Sequence, residues 1–223
     1  ASFDFLYLGE LRKRGRVAPT VQVKGEAEPT AGGAVLEPVT GLHENTLGFD
    51  FTSLYPSLIL TFNIEPAGHV PSPGADEDLI RAPNGACFRR EPGILPEILL
   101  RLFPRREAAK RSGDAITSQA IKILMNSFYG VLATPACRFH SAPVANAITH
   151  FGQSILLWTK RHVEELGHRV LYGDTDSLFV ESNATAPEYA RQVGRDLVQQ
   201  INRDLSKHVF ASHRVASRLE LEF

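Results

Sequence analysis

An α+β fold is predicted, an antiparallel sheet backed by helices with an αα-hairpin inserted into it. Three observations predict it. A strand pattern over Leu47–Phe51 is far in sequence from a second β-prone region, which flanks the acidic run Asp174-Thr175-Asp176-Ser177. Between them lie long apolar patterns of helical period. Without one helical pair, the order is strand, helix, strand-hairpin, helix, strand, which suits an antiparallel sheet covered by helices.

Each element has a local cause. Residues 1–16 mix apolar and basic residues, with Arg12, Lys13, Arg14 and Arg16 at an exposed helix end. Residues 17–34 are rich in Pro, Gly, Ala and Glu and form an irregular lead-in. Ala31-Gly32-Gly33-Ala34 then opens a β-prone stretch, where glycine permits positive φ or close approach. The strand through Phe51 runs into Thr52-Ser53-Leu54-Tyr55-Pro56. Because Pro56 disfavours α conformation at Tyr55, a turn is expected there, with a helix from about Pro56 to Phe62.

The prolines and glycines of residues 66–95 predict loops. Ile98, Leu99, Leu102 and Phe103 give a helix from Pro96 to about Arg111, kinked or restarted after Pro104. A Ser-Gly-Asp turn leads to a second helix, starting at Thr117 or Ser118 and running through Ile121, Leu124, Met125 and Phe128 to Leu132. The pair makes the αα-hairpin. Pro143–Leu166 is a long amphipathic helix closed by Gly167, and another helix covers about Pro187–His208. The acidic hairpin lies between them at residues 168–181, and Leu219–Glu222 alternates as a last strand.

Composition sets bounds on function. At 43% apolar and 22% charged residues the chain is ordinary for a globular protein. No run approaches the roughly 20 apolar residues that span a bilayer, and no signal-peptide pattern is present. Cys87 and Cys137 lack CxxC spacing, which excludes a zinc knuckle; two small buried hydrophobes in a reducing compartment is the expectation. The net charge of −1 rules out a globally basic nucleic-acid binder while leaving room for a local positive stripe. The chain starts at Ala1 and its one methionine is Met125, as expected for a processed protein or, in preference, a piece of a longer one.

Chemistry concentrates in three places. Asp174 and Asp176 lie two residues apart at a hairpin tip, where both pay to ionise unless divalent cations turn repulsion into attraction. Taken alone, this is an acidic surface turn. Asp50 ends the first strand, a place where Asp more often caps than binds, and the turn after it frees the N–H groups of Ser53, Leu54 and Tyr55 for an anion. On the second hairpin helix Lys122, Asn126 and Tyr129 share roughly one face, followed by Gly130. The partner helix offers Arg106 and Lys110 at i, i+4. Each cationic face in isolation is a wet surface; opposed, they form a clamp for a polyphosphate.

These runs resemble a known family. DFTSLYPSL is similar to motif A of the family B DNA polymerases, KILMNSFYG to motif B and YGDTDS to motif C, in that family's order. ASFDFLYLGELRKRGRVAP, AGGAVLEPVTGLHENTLGFDF and REAAKRSGDAITSQAIKILMNSFYGVLATPACRF extend the likeness, towards the bacterial DNA polymerase II branch.

The resemblance implies template-directed DNA synthesis in DNA replication and repair, with a nucleotidyl group passing from a dNTP to a primer 3′-hydroxyl on primer-template DNA. It implies a palm with a fingers insertion: residues 1–46 as lead-in, 47–95 as palm, 96–133 as fingers, 134–223 as palm again. Two Mg²⁺ ions are implied, with Mn²⁺ as substitute, held by Asp50, Asp176 and the Phe51 carbonyl, with Asp174 more peripheral. Arg106, Lys110 and Lys122 match the residues that grip the triphosphate, and Asn126 supports them. Ser53 and Leu54 would donate backbone N–H groups to the β- and γ-phosphates, and Tyr55 matches the steric gate against a ribose 2′-hydroxyl. Tyr129 and Gly130 would lie under the nascent base pair, and Thr175 and Ser177 would shape the hairpin tip. An exonuclease before Ala1, a thumb after Phe223, a sliding-clamp contact through those regions and a bacterial cytoplasmic location complete the implied setting. The isolated chain would be weak or inactive.

Two other readings stay open from the residues alone. One is a two-metal phosphotransferase that copies no template, separated by template dependence. The other is a remnant that binds nucleic acid or a replication partner, separated by metal binding. Glu220 and Glu222 alternate on the last strand, and either could approach the metals or remain at the surface.

Overall fold

A computed structural model describes residues 2–20 and 30–223 of the chain. Half of the expected irregular lead-in, residues 21–29, therefore lies outside the described residues. The helices are α1 (Ser2–Lys13), α2 (Leu54–Phe62), α3 (Ile94–Arg111), α4 (Ala115–Ala133), α5 (Ala142–Glu165) and α6 (Pro187–His213). The strands are β1 (Val35–Leu36), β2 (Thr46–Phe51), β3 (Ile80–Arg81), β4 (Cys87–Phe88), β5 (Val170–Asp174), β6 (Ser177–Glu181) and β7 (Leu221–Glu222). The class is α+β, as the patterning predicts. The chain divides into two compact units, Ala1–Ala31 with Leu58–Ile148, and Gly32–Ser57 with Thr149–Phe223; two of the three boundaries fall within α2 and α5 and the other just before β1.

The second unit carries the main sheet, five strands in the order β1-β5-β6-β2-β7, with every pairing antiparallel. Alternation along β2 buries Leu47, Phe49 and Phe51 and leaves Thr46, Gly48 and Asp50 exposed. Leu178 and Val180 of β6 lie opposite Phe49 and Leu47, so the apolar residues of both strands share one face. Helix α6 packs on β2 and β7 and buries Leu197, Ile201, Leu205 and Val209 at helical spacing. It runs to His213, beyond the expected end at His208, and stops at Arg214, which takes φ 55°. Trp158 of α5 is stacked between His162 and His208, at centroid distances of 4.8 and 4.9 Å.

In the first unit, α3 and α4 pack as the expected hairpin, and α1 packs on both. Phe3 stacks on Tyr7 and meets Phe128 of α4 edge-on, each pair at 5.3 Å. Tyr7 donates its hydroxyl to buried Glu65 at 2.9 Å. The same carboxylate accepts the Ile94 N–H at 3.0 Å, satisfying a donor at the start of α3. Burial, with the Glu65 charge next, pushes the Tyr7 phenol pKa far up, so it donates throughout the accessible pH range.

Four expectations are corrected. Helix α2 starts at Leu54 rather than Pro56, because Ser53 makes the turn at φ 47° and Pro56, in the first turn, has no N–H to lose. Helix α3 passes through Pro104 in one piece to Arg111. Helix α4 starts at Ala115, because Asp114 accepts the Thr117 N–H at 2.9 Å as its N-cap. The Pro-rich stretch also holds a short β3–β4 pairing. Both cysteines are free thiols; Cys87 is buried, Cys137 only half-buried.

Candidate active site

The acidic hairpin is a two-residue turn. Asp174 pairs with Ser177 across its mouth, and the Asp176 N–H closes back on the Asp174 carbonyl at 2.6 Å. Thr175 sits at φ 56°, a left-handed value that strains a β-branched residue. Lower down, the register slips between Val170 and Tyr172, a bulge of the kind that redirects side chains beside a site.

Strand pairing aligns the acids. Asp50 lies opposite Ser177 on one side and Glu222 on the other, while Ser177 also faces Asp174. Directly paired residues of antiparallel strands share a face, so Asp174, Ser177, Asp50 and Glu222 form one cross-strand row on the sheet side away from the core. Glu222 thus joins the row that contains Asp50. Its place opposite Asp50 depends on pairing that alternation alone does not fix.

Ser177 links the two motifs. Its Oγ donates to Asp50 Oδ1 at 2.8 Å and lies 3.4 Å from Asp176 Oδ1. One hydroxyl therefore touches carboxylates that are distant in sequence, and their separation cannot exceed the sum of those two lengths. The Phe51 N–H reaches the Asp176 carbonyl at 2.8 Å, tying the turn to the end of β2. Burial raises the Asp176 pKa, the Asp50 charge adds to the rise, and Asp174 contributes least.

After Phe51 the chain turns into α2. Ser57 donates its N–H to the Ser53 carbonyl at 3.0 Å and its hydroxyl to the Thr52 carbonyl at 3.1 Å. Ser53 and Tyr55 are half-buried and Leu54 is buried, at the N-terminus of the helix that follows Asp50. Asp50, Phe51, Ser53, Leu54, Tyr55, Asp174 and Asp176 all belong to the second unit.

Arg106, Lys110, Lys122, Asn126, Tyr129 and Gly130 belong to the first. Ile121, Met125, Phe128 and Leu132 form the buried face of α4, leaving Lys122 and Asn126 exposed and Tyr129 half-buried. On α3, Lys110 is exposed and paired with Glu107 at 3.1 Å, whereas Arg106 is buried on the side of Leu102 and Ala109. The Tyr129 phenol is raised in pKa, mainly by burial.

Among the described residues, no three His, Cys, Asp or Glu side chains make a group able to hold a metal on their own. Asp50 and Asp176 still supply hard oxygen donors close together. Mg²⁺ in phosphate chemistry is usually held by one or two carboxylates, with the remaining positions filled by water and substrate phosphate. The donor set fits that ion.

The DNA polymerase family B model matches residues 3–212. The chain belongs to this family. Against DNA polymerase II of Escherichia coli (strain K12) this family B chain is 42% identical over 229 residues, covering all of the chain and 29% of that protein. Against the DNA polymerase of Archaeoglobus fulgidus it is 38% identical, over 79% of the chain and 24% of the relative. The DNA polymerase alpha catalytic subunit of Drosophila melanogaster is 36% identical over 82% of the chain and 13% of its own length. In structure, the family B DNA polymerase of the archaeon Pyrobaculum calidifontis superposes with a TM-score of 0.64 at 29% identity, over 98% of the chain and 28% of that polymerase. The chain thus spans less than a third of each of these polymerases.

Proposed function

We propose that this chain carries the polymerising centre of a DNA-directed DNA polymerase, which transfers a nucleotidyl group from a dNTP to a primer 3′-hydroxyl under template direction. The single observation that carries the reading is the Ser177 hydroxyl in reach of both Asp50 and Asp176. It draws motifs A and C into one acidic centre, as two-metal catalysis requires.

Asp50, Asp176 and the Phe51 carbonyl are the proposed holders of two Mg²⁺ ions, with Mn²⁺ as substitute and Asp174 and Glu222 flanking. When bound, such ions lower the pKa of the primer hydroxyl and neutralise the leaving pyrophosphate. The chain's own contribution is placement. Strand pairing fixes Asp50, the two-residue turn fixes Asp176, and Ser177 holds both. The attacking oxygen belongs to the DNA, so no side chain acts as a nucleophile.

The N–H groups of Ser53 and Leu54 are proposed donors to the triphosphate, and Tyr55 the group that excludes a ribose 2′-hydroxyl. On the strength of motif match, Arg106, Lys110, Lys122 and Asn126 are assigned to the triphosphate and Tyr129 and Gly130 to the base pair. The palm–fingers–palm division at residues 47–95, 96–133 and 134–223 belongs to the same proposal. So does a sliding-clamp contact outside this chain. The activity belongs to the parent polymerase, with the chain by itself weak or inactive.

The test is Asp176→Ala in the intact polymerase. Primer extension is expected to fall by about three orders of magnitude or more, the scale of a lost electrostatic group at a transition state, with the thermal midpoint kept. Extension within about threefold of wild type would refute the assignment.

A further inference from the structure

Just before β1 the chain passes across the tip of the acidic hairpin. The Thr175 N–H donates to the Ala34 carbonyl at 2.8 Å, and Val35 pairs with Asp174. Gln153 of α5 holds the same segment by donating its Nε2 to the Gly32 carbonyl at 2.7 Å. Between these anchors Gly33 lies directly against Thr175. A β-carbon at Gly33 would stand 2.9 Å from both Cβ and Cγ2 of Thr175, and nearer still to Oγ1. Rotation about χ1 moves Cγ2 and Oγ1 but leaves Cβ in place, so only a backbone shift could make room.

The turn has little tolerance for that shift. Thr175 is held at φ 56°, and its Oγ1 donates to Asp174 Oδ1 at 2.9 Å. Strain of this kind persists only where the surroundings over-determine the conformation. Here the surroundings are the strap 32–34.

We propose that Gly33 is a positioning residue for nucleotidyl transfer. Its missing side chain lets the strap close on the hairpin tip and hold Thr175 left-handed, which sets where the next residue, Asp176, places its carboxylate relative to Asp50. The inference rests on the polymerase reading of those two acids.

The test is a double-mutant cycle in the intact polymerase. Gly33→Ala is expected to lower kcat about tenfold or more while KM for dNTP moves less than about threefold, since the substitution displaces a group acting in the transition state. Thr175→Gly removes the three atoms nearest to the new methyl and favours positive φ. In that background Gly33→Ala is therefore expected to cost less than about threefold in kcat, a strong departure from additivity. A second readout needs neither metal nor turnover. In metal-free protein, amide exchange over residues 174–177 is expected to rise about tenfold in Gly33→Ala, with α6 unchanged.

Unchanged kcat and exchange in Gly33→Ala would overturn the proposal. So would an equal loss in both backgrounds, which would mean that Gly33 keeps room for something other than Thr175. If Asp50→Ala and Asp176→Ala extended primers normally, the polymerase reading would fall instead, whatever the exchange data showed.

Discussion

Asp176 is the residue where the cost of the site is visible. Its carboxyl is half-buried, lies near Asp50, and is raised in pKa by burial first and by Asp50 second. A fold gains nothing from that arrangement without a cation, whereas phosphoryl chemistry needs oxygen donors already in place. Glu222 reaches the same row through its pairing with Asp50, which settles on pairing what alternation in the sequence leaves open between Glu220 and Glu222. Tyr55 gives a prediction of its own. It is half-buried at the start of the helix that follows Asp50. Tyr55→Ala is expected to raise ribonucleotide use relative to deoxyribonucleotide by about a hundredfold, because the proposed discrimination is steric and directed at the 2′-hydroxyl. Competition kinetics with matched rNTP and dNTP check it, and an unchanged ratio would remove Tyr55 from the sugar-sensing role.

At the scale of elements, α5 and α6 meet through the stack of His162, Trp158 and His208. His162 Nε2 lies 3.1 Å from Asp204 Oδ2, while burial, Arg161 and His162 together lower the His208 pKa below 6.5. Below that value the unfolded chain binds a proton that the folded His208 resists. Stability is therefore expected to fall as pH drops from about 6.5 through the depressed folded pKa. Thermal unfolding across pH 5–7.5 reads this, and His208→Gln should flatten the slope; an unaltered slope would assign it to another group.

The elements also show what could be read from sequence. The β2 strand, the acidic hairpin and the α3–α4 hairpin follow from alternation, turn residues and apolar period. The packing of α1 does not. Phe3 and Tyr7 bury themselves against Phe128 and Phe139, partners more than a hundred positions away. The start of α2 was hidden because the rule for a residue before proline gave way to Ser53 taking positive φ. The buried state of Arg106 was equally hidden, since charge alone reads as surface.

At the scale of the molecule, two compact units divide the candidate chemistry. The acids and the α2 N-terminus belong to one, and the basic helical hairpin belongs to the other. No helix among the described residues is long and apolar enough to cross a membrane. The net charge of −1 provides no general attraction for DNA, so the proposed reading requires duplex affinity to come from local basic surface or from outside this chain. The central claim is that Asp50 and Asp176 jointly hold the metals of nucleotidyl transfer. Its most direct test is a crystal of the intact polymerase with primer-template, a non-hydrolysable dNTP and Mn²⁺, read by anomalous scattering. The account predicts two peaks about 4 Å apart, both within bonding distance of Asp50 and Asp176 oxygens. Mn²⁺ bound elsewhere, or touching only one of the two carboxylates, would contradict it.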